Sequence, residues 1–201
     1  MRIGFFGGSF DPPHRGHLAV ALAAAQQFSL DRVLLAPTAN QPLKPQGPQA
    51  SFEDRLAMVG LLCAADTRLE ASTLDGPAPS GHPNYTVETL QHLRDTLTAQ
   101  DSLFAIAGID AFLDIHRWRS PQRLLQLAQW IVVSRPGFDT SLLVRMDLDP
   151  TQRARVHLLA GVAEPASATA VRAALHDGRN CATLVPAPVL TYITQHRLYR
   201  E

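Results

Sequence analysis

The chain is poor in cysteine and carries no excess of either charge, and both shortages narrow what it does. Its 201 residues include only two cysteines, Cys63 and Cys181, far apart in sequence. The expectation is a reduced, cytoplasmic protein with both side chains as thiols. Lys plus Arg number 18, and so do Asp plus Glu. With no net field, and no stripe of basic residues interleaved with aromatics, neither nucleic acid nor an anionic membrane is an expected partner. Any attraction for a charged substrate must come from local clusters. No apolar run is long enough to span a bilayer. The first apolar run begins at residue 3 with no signal-peptide cleavage site before it. The sequence has no G-x-S-x-G elbow, and neither cysteine has a neighbouring base, so nothing points to a covalent nucleophile. It also lacks internal repeats and any linker that would mark a second domain.

Apolar residues make up 46% of the chain, enough for a substantial core. The length suits one α/β domain over 1–201. Runs at residues 3–6, 32–36, 103–107 and 130–133 predict strands, with a weaker candidate at 155–159. Continuous apolar runs suit parallel strands covered on both faces. Helical patterns cover residues 16–27, 51–62, 86–97 and 120–128. The second opens on Ser51-x-x-Asp54, a capping-box-like start. The last opens on Ser120-Pro121, a capping hydroxyl before a proline at the first helical position. This alternation predicts βαβ units in a doubly wound, mainly parallel, Rossmann-like α/β sheet with helices on both faces. Such sheets bind ligands beyond the carboxyl ends of their strands. Two loops, 37–50 and 75–84, are long and rich in proline and glycine, as functional or mobile loops are.

The segment Gly7-Gly8-Ser9-Phe10-Asp11-Pro12-Pro13-His14-Arg15-Gly16-His17 sits between the first strand and the first helix. A glycine turn lets backbone N–H groups approach an anion, and a helix N-terminus adds a positive dipole end. His14 and His17, three apart on a first helical turn, share a face and offer imidazole donors to phosphate oxygens. The plainer alternative is a pair of surface or capping histidines. A zinc site would need a third and fourth ligand that the neighbourhood does not supply. A second cluster, Ser167-Ala168-Thr169-Ala170-Val171-Arg172, places a cation near a helix start, where the dipole disfavours it. The conflict disappears if an anion binds there in the planar fork of Arg172, with Ser167 or Thr169 capping. The segment alone also reads as a capped helix with a surface arginine.

Phe10-Asp11-Pro12-x-His14-x-Gly16-His17 resembles the signature of the nucleotidyltransferase α/β-phosphodiesterase superfamily, and Ser167, Thr169 and Arg172 resemble its C-terminal motif. The superfamily moves a nucleotide monophosphate from an NTP to a phosphate-bearing acceptor. Ala166 departs from the larger aliphatic residue usual there. Residues 37–44 are similar to a P-N-x-x-P-P-H-K loop, keeping Pro37, Pro42 and Lys44 but departing at Thr38, Gln41 and Leu43. Asn84-Tyr85-Thr86 resembles an S-Y-T element, Gly108-Ile109-Asp110 a G-x-D element, and Ser134-Arg135-Pro136-Gly137 an R-P-G turn. With Trp118 and the tail, these extend the resemblance over nearly the whole chain. Within the superfamily the match is to bacterial nicotinate-nucleotide adenylyltransferases.

That resemblance implies an enzyme of NAD biosynthesis that joins ATP and nicotinate mononucleotide into nicotinate adenine dinucleotide, releasing pyrophosphate. His17 is implied at the ATP α-phosphate, and His14 and Arg172 at the β- and γ-phosphates. Gly7, Gly8, Ser9, Phe10, Ser167 and Thr169 are implied in ATP binding, and Gly108 and Asp110 at ribose hydroxyls. Lys44, Tyr85, Thr86, Trp118 and Arg135 are implied at nicotinate mononucleotide, with Arg119 altering the ring contacts. Each has a plain counterpart: a solvated Lys44, a packed Tyr85, an N-cap Asp110, a core Trp118. Mg²⁺ is expected on ATP and water rather than in a protein cage, with no protein metal ligands. The tail reads as structural packing, and a homo-oligomer is compatible with the sequence. Rival readings are a relative acting on phosphopantetheine or nicotinamide mononucleotide, a nucleotide sensor without turnover, and a nucleic-acid-binding module.

Overall fold

The strands are β1 (Arg2–Gly8), β2 (Arg32–Pro37), β3 (Leu69–Ala71), β4 (Ser102–Gly108), β5 (Gln129–Val133) and β6 (Val156–Leu159). They form one sheet in the order β3-β2-β1-β4-β5-β6, and every pair is parallel. The computed structural model describes residues 1–41, 46–78, 81–134, 139–162 and 164–200. The helices among those residues are α1 (Arg15–Gln27), α2 (Phe52–Cys63), α3 (Thr86–Asp95), α4 (Ile109–Leu113) and α5 (Pro121–Leu127). After them come α6 (Ser141–Val144), α7 (Pro150–Arg153), α8 (Ala168–His176) and α9 (Ala187–Gln195).

The central strands β1, β2, β4 and β5 are largely apolar because they have cores on both faces. Side chains alternate across a strand. Phe6, Val33, Leu35, Phe104, Ile106 and Ile131 face one core, which α1, α2, α8 and α9 cover. Ile3, Phe5, Leu34, Ala36, Ala105 and Trp130 face the other, under α3, α4 and α5. Burying each of the large side chains contributes about 1.5–3 kcal/mol, which makes the sheet the rigid platform for what lies at its end. The chain runs from β1 through α1 to β2 on one side of β1 and later returns as β4 on the other. Strand order therefore reverses between β1 and β4, and a crevice opens there at the carboxyl ends, beside Gly8 and Gly108.

The doubly wound expectation is met, with corrections at element ends. β3 was not expected. It has three residues and only Leu69 is buried, so no apolar run marks it. Helix α3 stops at Asp95 rather than 97. Ser120 does not cap α5: its φ of 53° places it in the left-handed region, and its side chain makes no cap bond. Pro121 alone starts that helix, which ends at Leu127. Ser51 does cap α2, accepting from the Asp54 N–H at 3.0 Å.

Candidate active site

β1 delivers the glycine loop straight into the crevice. Gly8 still pairs with Pro37, and the chain then turns through Ser9 and Phe10. Phe10 has φ 48°, a strained value for a residue with a side chain, and its ring is almost wholly buried. The ring sits 5.5 Å from Phe6 and 4.7 Å from the His17 imidazole. Strain is tolerated there because the buried ring fixes the loop and backs His17. His14 is the N-cap of α1 and His17 its third residue. The two imidazoles stack with centroids 3.8 Å apart, and the His14 backbone N–H donates to His17 Nδ1 at 3.3 Å. The histidines therefore share a site, as expected, but the pair also caps the helix.

Helix α8 brings a second N-terminus to the same loop. Gly16 makes this possible: a Cβ there would lie 3.0 Å from both the Ala166 carbonyl oxygen and His14 Nδ1. Ala166 is buried there, and the contact with Gly16 is made by its backbone oxygen. Ser167 is the cap, its Oγ accepting from the Ala170 N–H at 3.2 Å, and Thr169 lies exposed on the first turn. Arg172 is the fifth residue of α8, one turn further in than the sequence suggested. Helical side chains lean toward the N-terminus, so Arg172 reaches back and donates to the Asp11 carbonyl oxygen at 2.7 Å. Among the described residues its remaining donors have no other hydrogen-bond partner.

Three residues that carry this arrangement had no role assigned from sequence: Asp11, Arg55 and Tyr199. The buried Asp11 carboxylate accepts from the Gln49 and Ala50 N–H groups at 2.8 and 3.0 Å and from the Tyr199 hydroxyl at 2.8 Å. Arg55 is 1% exposed and donates to the carbonyl oxygens of Ser9, Thr38 and Ala50 at 2.7, 2.8 and 3.3 Å. Burial holds the guanidinium below its usual pKa, while the nearby Asp11 charge opposes that shift. Arg55, Met58, Val59 and Leu62 are all buried, so an arginine stands in the apolar stripe of α2. That spacing is the signal by which it was legible.

A cleft of about 940 Å³ has a lining that includes Phe52, Asn84, Tyr85, Thr89, His92 and Arg119. Tyr85 is the N-cap of α3 and Thr86 its first residue. The Arg119 guanidinium lies 4.4 Å over the Tyr85 ring and pairs with Glu88 at 3.1 Å. Asn84 ties the cleft walls together, accepting from Asn40 N–H at 2.9 Å and donating to the Gly76 carbonyl oxygen at 2.8 Å. Between cleft and glycine loop sits buried Asp75, which accepts from the hydroxyls of Thr38 and Thr89. Its pKa is raised by burial, against those two hydrogen bonds. Trp118 packs edge-on against Trp130, centroids 5.9 Å apart, and is partly buried. Gly108 caps α4 and leaves Asp110 exposed in its first turn at the end of β4. The departure at Gln41 closes onto the glycine loop, accepting from Ser9 Oγ at 3.3 Å. Lys44, Leu43 and Arg135 lie outside the described residues.

The site is thus lined by donors suited to phosphate: imidazoles, a guanidinium, hydroxyls and two helix starts. Residues 5–174 match the model of the cytidylyltransferase-like family. The chain is 37% identical to a "Probable nicotinate-nucleotide adenylyltransferase" of Desulfatibacillum aliphaticivorans, over 99% of this chain and 100% of that one. It is 40% identical to a protein of the same description from Roseiflexus sp. (strain RS-1), over 98% of each. The chain belongs to the nicotinate-nucleotide adenylyltransferase family. The fold agrees with that membership. This nucleotidyltransferase superposes on the Plasmodium falciparum nicotinic acid mononucleotide adenylyltransferase complexed with NaAD with a TM-score of 0.79, at 16% identity, over 98% of this chain and 97% of the other. An APC complex of the same Plasmodium enzyme gives a TM-score of 0.77 over 98% and 96%. Among the described residues of this family member, no helix is long and apolar enough to cross a membrane.

Proposed function

We propose that this chain transfers AMP from ATP to nicotinate mononucleotide, giving nicotinate adenine dinucleotide and pyrophosphate by in-line displacement at the α-phosphorus. The observation that carries the reading is the convergence of α1 and α8 on one strained glycine loop, with His17 and Arg172 beside it. An acceptor phosphate is already ionised, so no strong general base is required. Catalysis then reduces to positioning and to stabilising charge in the transition state.

His17 Nδ1 accepts the His14 N–H, so neutral His17 carries its proton on Nε2 and donates it to the α-phosphate. His14 and Arg172 hold the β- and γ-phosphates, with Ser167, Thr169 and the amides of Gly8, Ser9 and Phe10. Asp110 takes the ribose hydroxyls beside Gly108, because an ionised carboxylate only accepts and repels phosphate. Nicotinate mononucleotide occupies the cleft, with Tyr85 as a wall and the Thr86 N–H at a helix start toward the ring carboxylate. Trp118 borders that ring, and Lys44 and Arg135 meet the acceptor phosphate. Asp11 is not offered as a metal ligand, since its carboxylate already accepts from Tyr199 and two amides. Mg²⁺ would come with the ATP co-substrate, held mostly by ATP and water, and would supply charge neutralisation to pyrophosphate. The two buried thiols suit a reducing cytoplasm.

The test is pyrophosphate release with ATP and Mg²⁺ on nicotinate and nicotinamide mononucleotide, side by side. A strong preference for the acid is expected. Equal use of both would remove the carboxylate contact at Tyr85–Thr86. No release with either would reject the reaction.

A further inference from the structure

The tail was expected only to pack, yet one of its side chains reaches the phosphate loop. Tyr199 is 8% exposed and has φ 63°, a left-handed backbone that a side-chain-bearing residue adopts at a cost. What that conformation delivers is a hydroxyl 2.8 Å from Asp11 Oδ1. Asp11 is the residue against which Arg172 is held, through its carbonyl oxygen at 2.7 Å. Its carboxylate Oδ2 lies 3.9 Å from the same guanidinium nitrogen, outside hydrogen-bond range.

That separation needs an explanation, because a buried carboxylate beside a guanidinium is strongly drawn into contact. The explanation lies in what Asp11 already accepts. Oδ1 takes the Tyr199 hydroxyl and the Ala50 N–H, and Oδ2 takes the Gln49 N–H. Two of these donors are backbone amides fixed by their loop. The third is the only one contributed by a side chain. We propose that Tyr199 is a positioning residue for ATP: its hydroxyl holds the Asp11 carboxylate turned away from Arg172, so that the guanidinium fork stays open to phosphate. Without that hydroxyl the carboxylate turns toward Arg172, tightens the 3.9 Å ion pair into a direct hydrogen bond and withdraws the fork from the nucleotide. The Tyr199 hydroxyl remains a donor at any working pH, because burial and the Asp11 charge push its pKa up.

This inference rests on the assignment of Arg172 to ATP phosphates, and the test separates the two. Steady-state constants for both substrates are measured in wild type, Y199F, R172A and the double variant, with melting temperatures alongside. Y199F keeps the ring in its buried place. It is expected to raise the ATP KM about tenfold or more, the lower end for one hydrogen bond to a charged group. The nicotinate mononucleotide KM should stay within about twofold, a change well below one hydrogen bond. In the R172A background, Y199F should add nothing to the ATP KM, whatever it does to the melting temperature. In a D11N background, where no carboxylate is left to pair with Arg172, Y199F should likewise leave the ATP KM unchanged. Multiplicative effects of Y199F and R172A, an equal rise for both substrates, or a wild-type ATP KM in Y199F would each overturn the inference. A wild-type ATP KM in R172A would instead remove the assignment of Arg172, and the inference with it.

Discussion

The His14 backbone N–H and His17 Nδ1 are joined at 3.3 Å beneath stacked rings, so one histidine sets the tautomer of the other. The same bond leaves Nε2 as the protonated nitrogen of a neutral His17, the atom that the proposed function assigns to the α-phosphate. His17→Ala is expected to lower kcat by at least about 10², the lower end for a lost transition-state donor. Pyrophosphate release at saturating ATP measures it, and near-normal turnover would reject the role.

Arg172→Lys keeps the charge and loses the fork. A point charge cannot hold the Asp11 carbonyl and a phosphate in one plane. The ATP KM should rise about tenfold, the worth of one charge-assisted hydrogen bond. A variant with unchanged ATP KM and kcat would exclude the bidentate role.

Gly16→Ala tests the close approach of the two helix starts. The new Cβ meets the Ala166 carbonyl oxygen at 3.0 Å, so that backbone, just before α8, has to give by a few tenths of an ångström. A displacement of that kind should reduce kcat/KM by about tenfold to a hundredfold. Far-UV circular dichroism should be unchanged, which separates misplacement from unfolding.

Arg55 supports the loop from below. Arg55→Met keeps the apolar stem and abandons three carbonyl oxygens. Each buried acceptor left unpaired costs about 1–3 kcal/mol, so a loss of about 3 kcal/mol or more is expected. For a chain of this length that is a fall in Tm of about 6–12 °C. A thermal melt within about 2 °C of wild type, under 1 kcal/mol on that scale, would show that water replaces the guanidinium.

Burial pushes the Cys63 thiol up to about 12, and Cys181 is raised as well, in each case chiefly by desolvation. An acid whose folded pKa exceeds its unfolded value adds stability that is complete below the unfolded value. For Cys63 that contribution is lost as pH climbs from near 9.0 toward about 12. The native protein should therefore not react with a thiol reagent at about pH 8, near the pKa of a free cysteine, and should yield both thiols in denaturant. Rapid reaction of the folded protein would contradict the burial.

The sheet was legible because strands covered on both faces leave uninterrupted apolar runs, and the glycine–histidine loop because its residue types are dense and local. β3 left no such trace, since only one of its residues is buried. The two histidine rings lie together as expected, and the capping role weighed as the plainer alternative is present as well, through the bond from the His14 N–H to His17 Nδ1. Arg172 was read one turn too early, and only the lean of helical side chains brings it back to the loop. Asp11 stood in the quoted motif without a role, because its partners Gln49, Ala50 and Tyr199 lie far from it along the chain. Separation of that kind leaves no local pattern.

The bond between Tyr199 and Asp11 joins residues 188 positions apart, and it has a bearing on how the protein is made. As the chain leaves the ribosome, β1, β2 and β4 are free to pair long before α8 exists. The Asp11 carboxylate therefore lacks its Tyr199 partner until those 188 residues have been made. Closing a loop that long adds only logarithmically to the entropic cost, so the delay is set by synthesis rather than by thermodynamics. An emerging chain that has not yet made Tyr199 can hold its sheet while its Asp11 carboxylate still lacks that hydroxyl.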